Sequence, residues 1–98
     1  METNALVKQY TEDMIAIRRH IHANPEISNA EFQTTALIKE KLTEYGVEIA
    51  EIGLKTGVIG IIRGGKPGKT IAIREDIDAL PMPELTGLPY ASTVENVC

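Results

Sequence analysis

Residues 57–81, GVIGIIRGGKPGKTIAIREDIDALP, decide the fold that the sequence predicts. Residues 57–63 form a short, nearly continuous apolar run, and residues 70–76 alternate apolar with polar side chains. Both patterns are typical of β-strands. The stretch between them, GGKPGK, is rich in residues that favour turns. So short a connection predicts that the two strands form an antiparallel hairpin.

Two helices are predicted before this hairpin. Between Thr3 and His22, large apolar residues recur at steps of three and four, which places them on one face of a helix. A second helix is expected to begin after Ser28, which with Glu31 fits a capping box. Gly46 suits the left-handed residue that closes such a helix.

A further strand follows the helices, because VEIAEI, residues 47–52, alternates apolar with polar side chains. The predicted class is therefore α/β, with two N-terminal helices followed by a three-stranded piece that contains an antiparallel hairpin. From Ala79 onward the chain has three prolines and no sustained period, so it is predicted to be irregular. A coil of about 20 residues is uncommon in a compact domain. We therefore expect residues 1–98 to be part of a larger domain.

Composition narrows the classes of function. The 98 residues carry a net charge of -4, and their ten Lys and Arg residues are scattered, which argues against a nucleic-acid partner. No segment approaches the roughly 20 apolar residues of a membrane span, and nothing near Met1 resembles a signal peptide. The single cysteine, Cys98, excludes an internal disulfide and suits a reducing compartment. The sequence thus predicts a cytoplasmic protein.

Two short motifs resemble ligand sites but fit other roles better. GGKPGKT, residues 64–70, resembles a phosphate-binding P-loop, yet only three residues separate Gly64 from Gly68 and a strand is predicted to follow. A hairpin turn is favoured over a nucleotide site. His20 and His22 lie two positions apart on the first helix, whereas a shared metal ion requires a spacing of three or four. A polar or capping role is favoured for both.

The carboxylates at the end of the last predicted strand are the best candidates for chemistry. Alternation places Arg74, Asp76 and Asp78 on one face of that strand, so Arg74 can neutralise a neighbouring carboxylate. The carboxyl ends of strands are where open α/β sheets place ligand sites, which favours a metal-linked or histidine-orienting role. A solvated strand end with a surface Arg–Asp pair is the alternative.

Residues 18–35, RRHIHANPEISNAEFQTT, resemble the opening signature of the metal-dependent amidohydrolases that include hippurate hydrolase, N-acyl-amino-acid amidohydrolases and auxin-conjugate hydrolases. The residues on its characteristic positions are Arg19, His22, Pro25, Glu26, Glu31 and Thr34. The resemblance resumes at residues 56–81 and again in TGLPYAS, residues 86–92. It therefore covers nearly the whole chain from Arg18 to Ser92.

This resemblance implies the N-terminal portion of a mixed-sheet metallohydrolase catalytic domain. In the family, two divalent ions, commonly zinc or manganese, polarise an amide carbonyl and share an activated water, and a glutamate is the general base. Asp78 matches an aspartate that orients a metal ligand without binding the metal itself, and Asp76 lies beside that site. The family's Cys-Gly-His-Asp ligand motif, paired glutamates, later histidines and lid domain would all lie beyond residue 98.

The sequence thus predicts that residues 1–98 are a partial catalytic domain of an enzyme that hydrolyses N-acyl amino acids or similar small amides. We expect this piece to be inactive and to bind no metal ion stably, because one pair of carboxylates cannot supply a dinuclear site. The alternative is a small scaffold domain derived from such an enzyme. It would bind a partner or itself through unpaired sheet edges.

Overall fold

A computed structural model of the chain describes residues 2–98. It contains two helices and two short strands: α1 (Thr3–Ala23), α2 (Phe32–Glu44), β1 (Glu48–Ile49) and β2 (Gly60–Ile61). The chain divides into two compact units. The first contains the residues up to Pro25 together with Leu80–Cys98, and the second is Glu26–Ala79.

Helix α1 dominates the first unit and confirms the helix predicted between Thr3 and His22, with one further residue at its end. The backbone N–H of Asn24 donates to the carbonyls of His20 and Ile21. The Asn24 side-chain amide also donates to the His20 carbonyl, at 2.8 Å. These bonds satisfy carbonyls that the end of a helix leaves without partners. Pro25, which lacks an N–H, follows directly.

The segment Leu80–Cys98 is irregular, as predicted, but it is a closed loop and not a loose tail. Leu80 N–H donates to the Cys98 carbonyl at 2.7 Å, and Cys98 N–H donates back to Leu80 at 3.0 Å. Both the N–H and the hydroxyl of Thr93 donate to the carbonyl of Ala23 at 2.8 Å. The loop is therefore fastened to itself and to the end of α1.

Helix α2 is the first regular element of the second unit. The capping box predicted at its start is wrong. Glu31 is the N-cap residue, but its side chain makes no capping hydrogen bond. Ser28 lies in a turn that includes Asn29, whose φ is 66°. The turn takes Ser28 out of the capping position. At the other end the prediction is confirmed, since Gly46 has a φ of 78°.

The hairpin joins different segments from the two that were predicted. β1 and β2 are antiparallel, with Glu48 opposite Ile61 and Ile49 opposite Gly60. Arg63 donates to the carboxylate of Glu48 across the hairpin at 2.8 Å. The predicted third strand, residues 70–76, is wrong, because this segment has no strand partner. Alternation identifies the two faces of a segment, but it does not supply a neighbour with which to pair.

Apart from Pro25, the buried residues among residues 2–98 are polar. None of the large apolar side chains in residues 2–98 is buried, whereas Glu31, Thr34 and Thr35 are 8%, 4% and 9% exposed. By contrast, Ile71 and Ile73 are 85% and 82% exposed. The described helices include none with the length and apolar content needed to cross a bilayer. Order in the second unit thus depends on hydrogen bonds to buried polar groups.

Thr35 joins α2 to the loop before β2. Its hydroxyl donates to the Glu31 carbonyl at 2.5 Å and accepts the N–H of Gly57 at 2.8 Å. Gly57 has a φ of 86°, a conformation that suits glycine. Nearby, the Thr56 hydroxyl donates to the Glu31 carboxylate at 3.4 Å. Two polar side chains of the α2 N-terminus thus hold this loop.

Replacing Thr35 with valine should release the loop, because the shape is kept but the Gly57 N–H loses its acceptor. Because the Gly57 N–H is part-buried, losing its acceptor should cost about 1 kcal/mol, the lower end of the range for a buried donor, which corresponds to roughly 5-fold faster amide exchange at Gly57. NMR-detected hydrogen exchange measures this directly. Thr43→Val, at an exposed position of the same helix, is the control. Unchanged protection of Gly57 in Thr35→Val would contradict the assignment.

Candidate functional site

Asp76 and Asp78 lie on the extended segment at the end of the second unit. Arg74 and Asp76 form the expected ion pair, with Nη2 and Oδ1 2.8 Å apart. Their side chains are 86% and 67% exposed, so the pair contributes about 0–1 kcal/mol. Asp78 is exposed too. Both carboxylates are therefore largely open to solvent, and nothing in the described residues buries them.

The potential metal ligands among residues 2–98 do not form a metal site. Among residues 2–98, no group of three or more His, Cys, Asp or Glu side chains is arranged to hold a metal ion. Carboxylates prefer to share an ion with further ligands, and a stable zinc site needs three or four protein ligands. Asp76 and Asp78 by themselves do not supply them. A dinuclear centre therefore does not fit the residues that the structure describes.

Glu26 is the residue that fixes the backbone beside Asp78. One carboxylate oxygen of Glu26 accepts the N–H of Thr34 at 2.6 Å, and the other accepts the N–H of Gln33 at 3.1 Å. The main-chain carbonyl of Glu26 accepts the N–H of Ala79 at 2.8 Å. Glu26 thus caps α2 from outside the helix and binds the residue that follows Asp78.

The pKa of Glu26 reflects this environment. Burial acts to raise it, but hydrogen bonds from Thr34, Gln33 and Phe32 together outweigh burial and hold the pKa below the ordinary value. The N-terminus of a helix also favours a negative charge. The carboxylate is therefore charged at neutral pH. The resemblance had placed Glu26 on a characteristic position, but the spacing of seven and eight residues gave no sign of a cap.

In the first unit, His22 pairs with Glu84. His22 Nε2 and Glu84 Oε1 are 2.8 Å apart, and the Glu84 side chain is only 7% exposed. This contact confirms the polar role that was favoured for His22. Glu84 was not identified as a candidate from the sequence, because its partner lies 62 residues away. Its place two residues before TGLPYAS, which carries the resemblance, was the available signal.

Glu84 organises the closed loop around its carboxylate. The Thr86 hydroxyl and the Ser92 N–H both donate to it, the latter at 2.9 Å. The Thr86 hydrogen bond, followed by that of Ser92, lowers the pKa of Glu84; burial opposes this shift, and His22 adds to it. One carboxylate thus binds three groups from two elements of the first unit.

Tyr90 completes this cluster. The guanidinium of Arg19 lies 4.4 Å from the centre of the Tyr90 ring, which is a cation–π contact. The ring of His22 meets Tyr90 edge-on, with centroids 6.0 Å apart and planes at 73°. Arg19 and His22 are one turn apart on α1, so both side chains can contact the same tyrosine ring. These two signature residues thus contact the loop Leu80–Cys98 through Tyr90 and Glu84.

Comparison with known proteins identifies relatives of this chain. Over 86 residues the chain is 56% identical to N-acetyl-L-cysteine deacetylase of Bacillus subtilis, covering 88% of this chain and 21% of the relative. It is 48% identical to hippurate hydrolase of Campylobacter jejuni over 81 residues, 83% of this chain and 21% of the relative. No family model matches the chain.

The fold agrees with these relatives. The crystal structure of the Bacillus subtilis YxeP protein, a dinuclear metal-binding peptidase of the M20 family, superposes with a TM-score of 0.88 at 46% identity. The match covers 92% of this chain and 25% of that one. This chain is similar in sequence to these hydrolases, and in sequence and fold to an M20 peptidase. It spans about a fifth to a quarter of their length, and the predicted α/β fold, an N-terminal part of their catalytic domain, is confirmed except for its strand count.

The carboxylate of Glu84 should titrate below its ordinary pKa of 4.5. Since the folded pKa lies below the unfolded one, the stabilisation is fully present above pH 4.5 and is lost as the pH falls through the folded pKa. A carboxyl ¹³C NMR titration measures the midpoint. Thr86→Val should raise it, whereas Thr70→Val, an exposed change in the second unit, should not. A midpoint at or above 4.5 in the unmodified chain would refute this.

Proposed function

We propose that residues 1–98 are a partial catalytic domain of a metal-dependent amidohydrolase that acts on N-acyl amino acids or similar small amides. The observation that carries the proposal is the agreement of sequence and fold with M20 proteins over some nine-tenths of this chain. The curated relatives include a deacetylase of N-acetyl-L-cysteine and a hydrolase of hippurate. Both names describe an amide bond to an amino acid or its derivative.

In such a hydrolase, the metal centre supplies an activated water and a polarised amide carbonyl. The ions are zinc or manganese in this proposal, and their ligands lie outside residues 2–98. This chain contributes the extended segment that carries Asp76 and Asp78. Asp78 orients a metal ligand by hydrogen bonding, and Asp76 lies beside the site and is paired with Arg74. The proposal also places the enzyme in the cytoplasm.

A hybrid enzyme tests this function. Residues 1–98 replace the matched segment of the Bacillus subtilis deacetylase, and hydrolysis of N-acetyl-L-cysteine is measured with and without a chelator. We expect chelator-sensitive activity in the hybrid and none in the 98-residue chain alone, because the chain lacks a sufficient set of ligands. Asp78→Asn in the hybrid should lower kcat/KM by about 10- to 100-fold, the usual effect of losing a group that orients a ligand.

Asp13→Asn, an exposed change on α1, is the matched control and should leave the hybrid unchanged. A hybrid that folds and binds metal but hydrolyses no N-acyl amino acid would refute the proposed function. Chelator-sensitive hydrolysis by the 98-residue chain alone would refute its inactivity. If Asp78→Asn is as active as the unmodified hybrid, Asp78 has no role in the site. The activity of the unmodified hybrid would still test the amidohydrolase function.

The second candidate is a self-associating scaffold, and the exposed isoleucines favour it. Ile71 and Ile73 alternate along an extended segment that has no strand partner, and both are more than four-fifths exposed. Such a segment can pair with a second copy of itself. Sedimentation equilibrium of the 98-residue chain should then give a dimer that Ile73→Lys converts to a monomer. Lys69→Ile, which adds an apolar residue nearby, should not do so. A monomer at all concentrations would exclude this candidate.

A further inference from the structure

Glu26 has contacts on both its side chain and its main chain that bear on the position of Asp78. The two carboxylate oxygens bind consecutive N–H groups in the first turn of α2, at 2.6 Å and 3.1 Å. Two hydrogen bonds from neighbouring amides leave the side chain little freedom, because both oxygens are committed. The main chain of Glu26 is therefore held at a set distance from the start of the helix.

The main chain of Glu26 in turn holds the end of the carboxylate segment. Its carbonyl accepts the Ala79 N–H at 2.8 Å, and the next residue, Ile27, forms a parallel bridge with Ala79. Ile27 is itself held by a turn, since its carbonyl accepts the N–H of Ala30 at 3.0 Å. Asp78 directly precedes the residue that this bridge fixes.

The preceding part of the segment has no comparable attachment. Residues 64–78 make no backbone hydrogen bond to another described residue. The ion pair of Asp76 is made with Arg74 on the same segment, and both side chains are largely exposed. A pair of that kind restrains the chain weakly. The position of Asp78 is thus set mainly from its C-terminal side, through Ala79.

We propose that Glu26 is a positioning residue: by capping α2 with its carboxylate and binding Ala79 with its carbonyl, it sets where the Asp78 carboxylate stands. The hydrogen bonds of Glu26 to α2 and to Ala79 are seen in the structure. The importance of Asp78 rests on the function proposed above. Glu26 itself touches no reacting atom. Its effect on chemistry passes through the backbone of residues 78–79.

Amide exchange of the ¹⁵N-labelled chain, measured by NMR at a single neutral pH, tests the link. Glu26→Ala should speed exchange at Gln33 and Thr34 by about 3- to 30-fold, the usual effect of losing a helix cap. The same variant should speed exchange at Ala79 by a similar factor. Glu26→Gln should restore most of this protection, because its amide oxygen still accepts one of the helix N–H groups.

Glu48→Ala is the matched control, because it removes a carboxylate that also has a hydrogen-bonded partner in the second unit. It should leave exchange at Ala79 unchanged. Amides of α1 should keep their rates in every variant, which separates a local effect from general unfolding. If Glu26→Ala unfolds the unit, Glu26→Gln carries the test, since exchange at Ala79 must then increase in proportion to that at Gln33 and Thr34.

Faster exchange at Gln33 and Thr34 with an unchanged rate at Ala79 would overturn the proposal, because the cap would then be separate from the Asp78 segment. In the hybrid enzyme, Glu26→Ala should lower kcat more than it changes KM, and it should add little once Asp78→Asn is present. Failure of the proposed function would appear as a hybrid that folds and binds metal but hydrolyses no N-acyl amino acid. The exchange rate at Ala79 in the 98-residue chain would still test whether Glu26 holds the backbone next to Asp78.

Discussion

The second unit depends on the hydrogen bonds between the Glu26 carboxylate and two N–H groups in the first turn of α2. Through this carboxylate, Glu26 occupies the helix end that the capping box was expected to fill, and its pKa lies below the ordinary value because the helix amides outweigh the cost of burial. Its carbonyl then binds Ala79. None of the large apolar side chains in residues 2–98 is buried, so such polar contacts stabilise the fold where other proteins use an apolar core.

The first unit applies the same principle with different residues. Glu84 gathers His22, Thr86 and Ser92, and the ring of Tyr90 lies between Arg19 and His22. In this chain, Arg19, His22 and Glu26 of the amidohydrolase-like signature therefore make contacts that hold other segments in place. The partners of these three charged residues are, respectively, a tyrosine, a loop carboxylate and backbone amides, which offset the cost of burying charge.

Local patterns predicted local structure well. The apolar stripe of α1, the left-handed Gly46 and the Arg74–Asp76 pair all depend on residues within a few positions of one another. The errors concern choices between partners. Ser28 and Glu31 had the right spacing for a cap, but Glu26 took the place, and residues 70–76 had the right alternation for a strand but no neighbour. Neither local pattern predicts which of several distant groups will be the hydrogen-bond partner.

The sequence by itself predicted the helices, the α/β class, the resemblance to metal-dependent amidohydrolases and the two carboxylates worth testing, because each follows from spacing or from matched motifs. Only the tertiary structure decided that β1 pairs with β2, that His22 binds Glu84, and that Glu26 links α2 to Ala79. The physical reason is that hydrogen-bond partners far apart in the chain are chosen by where the folded backbone brings them. Sequence distance carries no record of that choice.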